Sequence, residues 1–166
     1  MLELTNPVQT ILVTSRHRVV SRFSGLEDDK DDIITLDWHT TVSFNPMKYA
    51  IVIAKKHFSY NLIHESKVFI VNFISHKLKN AAMYCGKNSG EHLDKFKESG
   101  LTKEQGEWVD CPRIKEALAY LECEVAQEID VGENVIFIGN VVGRVTKADD
   151  KRLLHHVQDK YTTTVD

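Results

Sequence analysis

Four stretches of this 166-residue chain carry side chains able to hold a polar or phosphorylated ligand. In His57-Phe58-Ser59-Tyr60 an apolar run gives way to a helical pattern. There Ser59 and the free N–H groups of a first helical turn either cap the helix or bind an anion, since both roles use the same donors. Cys85 to Gly90, followed by Asp94-Lys95-Phe96, combines two glycines that let a ligand approach the backbone with the Ser89 hydroxyl and the Lys95 charge; the plainer reading is a surface loop before an amphipathic helix. Thr35 to Pro46 carries Trp38 and the hydroxyls of Thr40, Thr41 and Ser43 on an extended pattern, suited to a polyhydroxylated ligand but also to the plain β preference of Thr. Cys111-Pro112 through Leu121-Glu122-Cys123-Glu124 reads equally well as a packed helix entering a strand.

Other chemistries lack their signatures. GxGxxG, GxxxxGK[ST] and GxSxG do not occur, and the eight histidines form no HxxxH or HExxH pair, so no metal site is expected. The acidic run Asp28 to Asp32 has neither the glycine nor the distal glutamate of a calcium loop and reads as a hairpin tip. The three cysteines, Cys85, Cys111 and Cys123, form no CxxC and fit reduced, inert thiols in a cytoplasmic protein. No side chain stands out as a catalytic acid, base or nucleophile.

The elements that would position these groups are mostly strands. Apolar or alternating runs predict strands at Val8 to Ser15, His17 to Phe23 as its hairpin partner, Ile33 to Phe44, Tyr49 to Ala54, Val68 to Ile74, Leu121 to Ile129 and Val135 to Val145. Glu27 to Asp32 reads as a charged loop, and Gly139 and Gly143 as bulges in the last strand. Short helices are expected at Phe58 to Ser66, His76 to Tyr84, Glu91 to Glu98, Pro112 to Ala119 and Asp149 to Gln158. The order is not a strand–helix alternation, which points to a mainly β fold, a closed or nearly closed antiparallel barrel with small helices around it. With 42% hydrophobic and 27% charged residues, no linker and no repeat, residues 1–166 read as a single domain. The N-terminus lacks a signal pattern, no apolar run is long enough for a membrane span, and a net charge of −3 argues against nucleic acid.

Taken in order, these pieces resemble the flavin reductase-like FMN-binding family, in its flavoredoxin and ferric reductase branch. The resemblance rests on Pro7-Val8 and Val13-Thr14; Ile33-Ile34-Thr35, Trp38, Val42-Ser43 and Pro46; Ser59-Tyr60 and Val71-Asn72; Ser89-Gly90, Asp94-Lys95-Phe96 and Gly100-Leu101; and Pro112, Leu121-Glu122-Cys123 and Ile138-Gly139-Asn140-Val141. Asp32 stands where the family often has Asn, Met47 follows Pro46 where a second Pro is common, and the tail after Lys147 has no counterpart in the pattern. The resemblance implies a Greek-key split β-barrel, a homodimer with FMN near the subunit interface, and electron transfer from NAD(P)H to a small acceptor such as a flavin or ferric chelate; a non-catalytic FMN-binding carrier is the alternative. It also implies that Lys95 and Ser59, with His57, Tyr60 and Ser89 nearby, hold the phosphate. Thr40, Thr41 and Ser43 would line the ribityl chain and ring edge, Trp38 would either flank the ring or wedge the barrel, and Phe96 is a further cofactor-binding residue.

Overall fold

Ten consecutive residues, Ile11–Val20 (β2), form the strand around which the molecule is organised: its first half is fully buried and its second half surfaces. The structure is a computed structural model and describes residues 5–20 and 24–164. β2 pairs antiparallel with Glu27–Leu36 (β3) along its whole length. Seven strands then form one antiparallel sheet in the order β3-β2-β6-β9-β10-β5-β4, with β4 at His39–Phe44, β5 at Met47–Ala54, β6 at Val68–Phe73, β9 at Ala119–Val131 and β10 at Asn134–Thr146. Strands at opposite ends of that order share a core: Ile34 and Leu36 of β3 pack with Tyr49, Ile51 and Ile53 of β5 around Phe69 and Phe137. A sheet can do this only by curling toward a barrel; the Trp38 carbonyl accepts from Val52 N–H at 3.0 Å and extends the β4–β5 ladder by one rung. The expected antiparallel, barrel-like curl is therefore present, with β3 and β4 as its edge strands.

Several expected elements take another form. Glu27 to Asp32 is strand, not loop, because β2 sets Arg16 opposite Asp31 and Arg18 opposite Asp29 in register; opposite charges across a pair favour the ladder. His17 to Val20 thus continues β2 instead of turning back along it, and residues 21 to 23 of the expected hairpin lie outside the described residues. Ile33 to Phe44 is broken at Asp37-Trp38 into β3 and β4. Pro112–Ile114 is a short strand (β8) paired with Lys103–Gln105 (β7), not a helix; the buried Asn72 side chain accepts from Ile114 N–H at 2.9 Å and holds it extended. The tail forms strands Leu153–His155 (β11) and Tyr161–Thr163 (β12), paired with each other and with Val8–Gln9 (β1), in place of the expected helix. Gly139 and Gly143 do mark irregularities in the β9–β10 pairing. A Cβ at Gly139 would lie 2.7 Å from the Phe69 ring, so the core itself requires glycine there.

The helices are Phe58–Ser66 (α1), Lys79–Lys87 (α2), preceded by a 3₁₀ turn at His76–Leu78, and Lys95–Ser99 (α3). Only the last part of the expected Glu91 to Glu98 helix is helical; Asp94 caps it by accepting from Lys97 N–H at 3.2 Å, and Gly100 ends it at φ 74°. Leu62 and Ile63 tie α1 to the barrel, while α2, α3 and β11 cover the outer face of β2 and β3 through Leu12, Ile33, Ala82, Phe96 and Leu153. α1 and the α2–α3 loop thereby frame one side of a cleft that β3 and β5 also line.

Candidate functional site

The cleft encloses about 1540 Å³. Ile34, Leu36, Trp38, Val52, Ala54 and Phe58 line it as an apolar wall. At one end lies the start of α1. No side chain caps this nine-residue helix and no acidic residue occupies its first turn, so its start carries partial positive charge, although the Tyr60 N–H already donates to the His57 carbonyl at 3.1 Å. Lys56 and His57 flank that end, with Lys87, Asn88 and Ser89 on the loop after α2. Burial, with Lys56 and Lys95 adding to it and Asp32 opposing, holds the His57 imidazole below its ordinary value.

Beneath the helix start lies a buried charged triad. Lys95 and Asp32 are 3% and 1% exposed, with Nζ 3.0 Å from Oδ1. The ammonium hydrogen-bonds to the carbonyls of Ile33 at 2.6 Å and Cys85 at 3.1 Å, leaving the approach to Oδ1 as a charge contact off the hydrogen-bond direction. Asp32 Oδ2 accepts from the Ser59 hydroxyl at 2.5 Å. One residue each from β3, α1 and α3 is locked together in this way. Gly90 is part of the lock, since a Cβ there would lie 2.1 Å from Asp32 Oδ1.

On the other side, Asp37 in the turn between β3 and β4 accepts from the Thr10 hydroxyl at 2.7 Å and pairs with His155 Nδ1 at 2.5 Å. Nearby, His39 Nε2 donates to the Gln9 carbonyl at 2.8 Å, which leaves Nδ1 to accept from the Tyr49 hydroxyl at 2.7 Å. Both groups are held neutral by burial: the imidazole is pushed below its ordinary value and the phenol up to about 12. All three cysteines are buried and free, and burial raises the Cys85 thiol, which lines the cleft, to about 11.

Five of the ten residues singled out from the sequence meet here: Trp38, His57, Ser59, Ser89 and Lys95. The side chains of Ser59 and Lys95 face Asp32 and not open space. The other five lie elsewhere. Thr40 and Thr41 are exposed on the edge strand β4, Thr40 lining a smaller cleft of about 330 Å³ with Trp38, and Ser43 is half-buried further along that strand. Tyr60 points to the barrel side, stacked on His64 at 5.6 Å and near Phe137 at 5.9 Å. Phe96 is buried in the outer core with Lys103 Nζ 5.4 Å from its ring centroid. Sequence reasoning missed Asp32, Asp37, Lys56 and the whole tail segment His155 to Gln158. A lone acidic run and an adjacent histidine pair carry no spacing that marks them.

The family model for the flavin reductase like domain matches residues 4–164, nearly the whole chain. The chain belongs to that family. An uncharacterized protein of Archaeoglobus fulgidus is 31% identical over 149 residues, covering 90% of this chain and 77% of its own length. A flavoredoxin from Methanosarcina acetivorans superposes with a TM-score of 0.81 at 28% identity, over 96% of this chain and 86% of that one. An FMN-binding protein from Thermus thermophilus, solved with 1-cyclohex-2-enone, reaches 0.84 at 20% identity, over 97% of this chain and 88% of that one. This family member shares its fold with both, and its large cleft suits a flavin. The apolar wall offers a surface for a planar ring, Asn88 and Ser89 offer partners for a polyol, and the α1 start with Lys56 and His57 offers positive potential for a phosphate. Among the described residues, no helix is long and apolar enough to cross a membrane.

Proposed function

We propose that this protein is an FMN-dependent oxidoreductase that takes a hydride from NAD(P)H and passes electrons to a small acceptor. The observation that carries the reading is the uncapped start of α1, with Lys56 and His57 beside it, opening on an apolar-walled cleft. Bound FMN would supply the redox chemistry; the chain supplies binding, orientation and exclusion of water. The first-turn N–H groups of α1 and Lys56 hold the phosphate. Ser59 and Lys95 act one layer down, through Asp32, keeping the helix start in place. Trp38, Val52 and Ala54 pack against the ring. At about 1540 Å³ the cleft exceeds the roughly 300–1,000 Å³ of a single-ligand pocket, which leaves room for a nicotinamide or an acceptor beside the flavin.

The reading extends to a homodimer. Trp38, Val42 and Ile129 stand 53%, 47% and 41% exposed around the smaller cleft, which Val52, Ile136 and Ile138 also line and which adjoins the flavin cleft at Trp38. A contiguous apolar sheet face of this kind is costly in water and suits a second copy of the chain. The buried free thiols suit the reducing cytoplasm.

The test is direct. Purified protein reconstituted with FMN, FAD and riboflavin is followed by flavin fluorescence quenching, then by NADH and NADPH oxidation with a ferric chelate or free flavin as acceptor. FMN binding tighter than riboflavin, with acceptor-dependent turnover, supports the reading. Equal affinity for riboflavin would remove the phosphate site, and binding without nicotinamide oxidation would leave a carrier.

A further inference from the structure

The C-terminal hairpin brings into the cleft an imidazole that the flavin reading leaves unused. The hairpin turns at Val157–Lys160, where Lys160 N–H donates to the Val157 carbonyl at 3.2 Å. Both central residues, Gln158 at φ 54° and Asp159 at φ 61°, are left-handed, and neither is glycine. Such backbone persists only where the surroundings over-determine it. Here β1 pairs with β11, Lys87 binds Asp159 at 2.7 Å and Asp37 binds His155 at 2.5 Å. The result is that His155, His156, Val157 and Gln158 form part of the wall of the cleft.

The protonation pattern of His155 follows from its partners. The Asp37 carboxylate only accepts, so His155 Nδ1 carries a proton and Nε2 is the working nitrogen. Asp37 is itself fixed through its other oxygen by Thr10. Among the described residues nothing bonds Nε2, and the ring is stacked on Tyr161 at 4.7 Å between centroids. The charged and titratable groups around it are Asp37, the Tyr161 hydroxyl, Lys79 at 5.7 Å from the Tyr161 ring, Asp159 in the same turn, and His156 next in the chain. With Nδ1–H held by Asp37, the imidazole first takes a proton at the unbonded Nε2, and as imidazolium it is placed to give that proton to a ligand oxygen in the cleft.

We infer that His155, oriented by Asp37, is the acid that protonates the acceptor, and that the acceptor class is a carbonyl-bearing organic oxidant that takes up a proton on reduction, a quinone serving as the probe. This rests on the flavin-dependent reading above. The balance is complete: the quinone gains a hydride equivalent that originates in NAD(P)H and passes by way of the bound flavin, and one proton from His155 Nε2. Its two carbonyls become hydroxyls, the nicotinamide is left oxidised, and neutral His155 regains a proton from water. A ferric chelate takes one electron and no proton, so its reduction does not use His155.

The test is His155→Asn in the flavin-loaded protein, because the Asn amide N–H replaces Nδ1–H toward Asp37 while Nε2 is lost. The ratio of turnover with a 1,4-naphthoquinone to turnover with a ferric chelate falls about 100-fold or more, in the usual range for losing a general acid. Equal loss on both acceptors, or no loss on the quinone, overturns the assignment. A second measurement is independent of turnover. In wild type, the ¹⁵N resonance of His155 Nε2 shifts when acetophenone, a redox-inert aryl ketone, is added, and an unmoved resonance also overturns the assignment. Failure of the underlying reading shows separately, as wild-type protein that neither retains flavin nor oxidises NAD(P)H with either acceptor.

Discussion

Replacing Lys95 by Ala tests whether the residue is structural. Its ammonium hydrogen-bonds to the Ile33 and Cys85 carbonyls and makes a charge contact with the Asp32 carboxylate. Truncation leaves Asp32, 1% exposed, with only the Ser59 hydroxyl. Breaking one side of a buried ion pair costs about 3–5 kcal/mol. For a chain of 166 residues, at about 2–4 °C per kcal/mol, Tm falls by about 6–20 °C. Asp32→Asn alone strands the buried ammonium and costs a similar amount. The double variant costs clearly less than the sum, because neither charge is left unpaired. Urea unfolding followed by circular dichroism, on all four proteins of the cycle, reads this directly. A Lys95→Ala loss under about 1 kcal/mol, or additive single losses, would refute the claim that these groups stabilise each other. FMN affinity measured on the same variants then reports the tilt of α1, not loss of a direct phosphate contact.

Three further outcomes follow from named contacts. Burial pushes the Asp31 carboxyl up, but hydrogen bonds from Arg16 and Lys103 outweigh it and hold it below its ordinary 3.8. Its contribution is thus present above that value and lost as pH falls through the native one, so acid unfolding followed by circular dichroism begins at lower pH in wild type than in a protein whose Asp31 is unpaired by Arg16→Met and Lys103→Met. Phosphate near His57 raises an imidazole that burial and the neighbouring lysines depress in the free protein. Binding then takes up a proton, and FMN affinity gains up to about tenfold per unit of falling pH over that window relative to His57→Gln, by fluorescence titration with riboflavin as control. A Cβ at Gly143 would lie 2.0 Å from the Trp108 ring; Gly143→Ala therefore displaces Trp108 outward, seen as a red shift of its emission, with about 1–3 kcal/mol of overpacking cost by urea unfolding.

Strands with strong local patterns were readable from the sequence because their signal is their own burial. Tyr49 to Ala54 is apolar on both faces because Tyr49, Ile51 and Ile53 enter the barrel core while Ala50, Val52 and Ala54 line the two clefts, and in Val68–Phe73 Phe69 and Val71 enter that core while Ile70 packs with Val109 and Tyr120. Gly139 and Gly143 were legible as irregularities because each must admit an aromatic ring. The misses share one cause. Glu27 to Asp32 is strand only because Arg16 and Arg18 face it, Pro112–Ile114 only because Asn72 holds it, and Leu153–His155 only because β1 lies alongside. Each depends on a partner far away in the chain, which no local pattern reports.

For the fold, the chain on its own determined the family and the mainly β architecture, because apolar runs and motif order are local or co-linear properties. The tertiary structure alone decided what each side chain does at the site. It turned Lys95 and Ser59 inward to Asp32, sent Tyr60 and Phe96 into cores, and carried His155 some 118 residues from Asp37 in the chain to within hydrogen-bond reach of it. A charge takes its role from the nearest opposite charge in space, and that neighbour is chosen by the curling of the sheet.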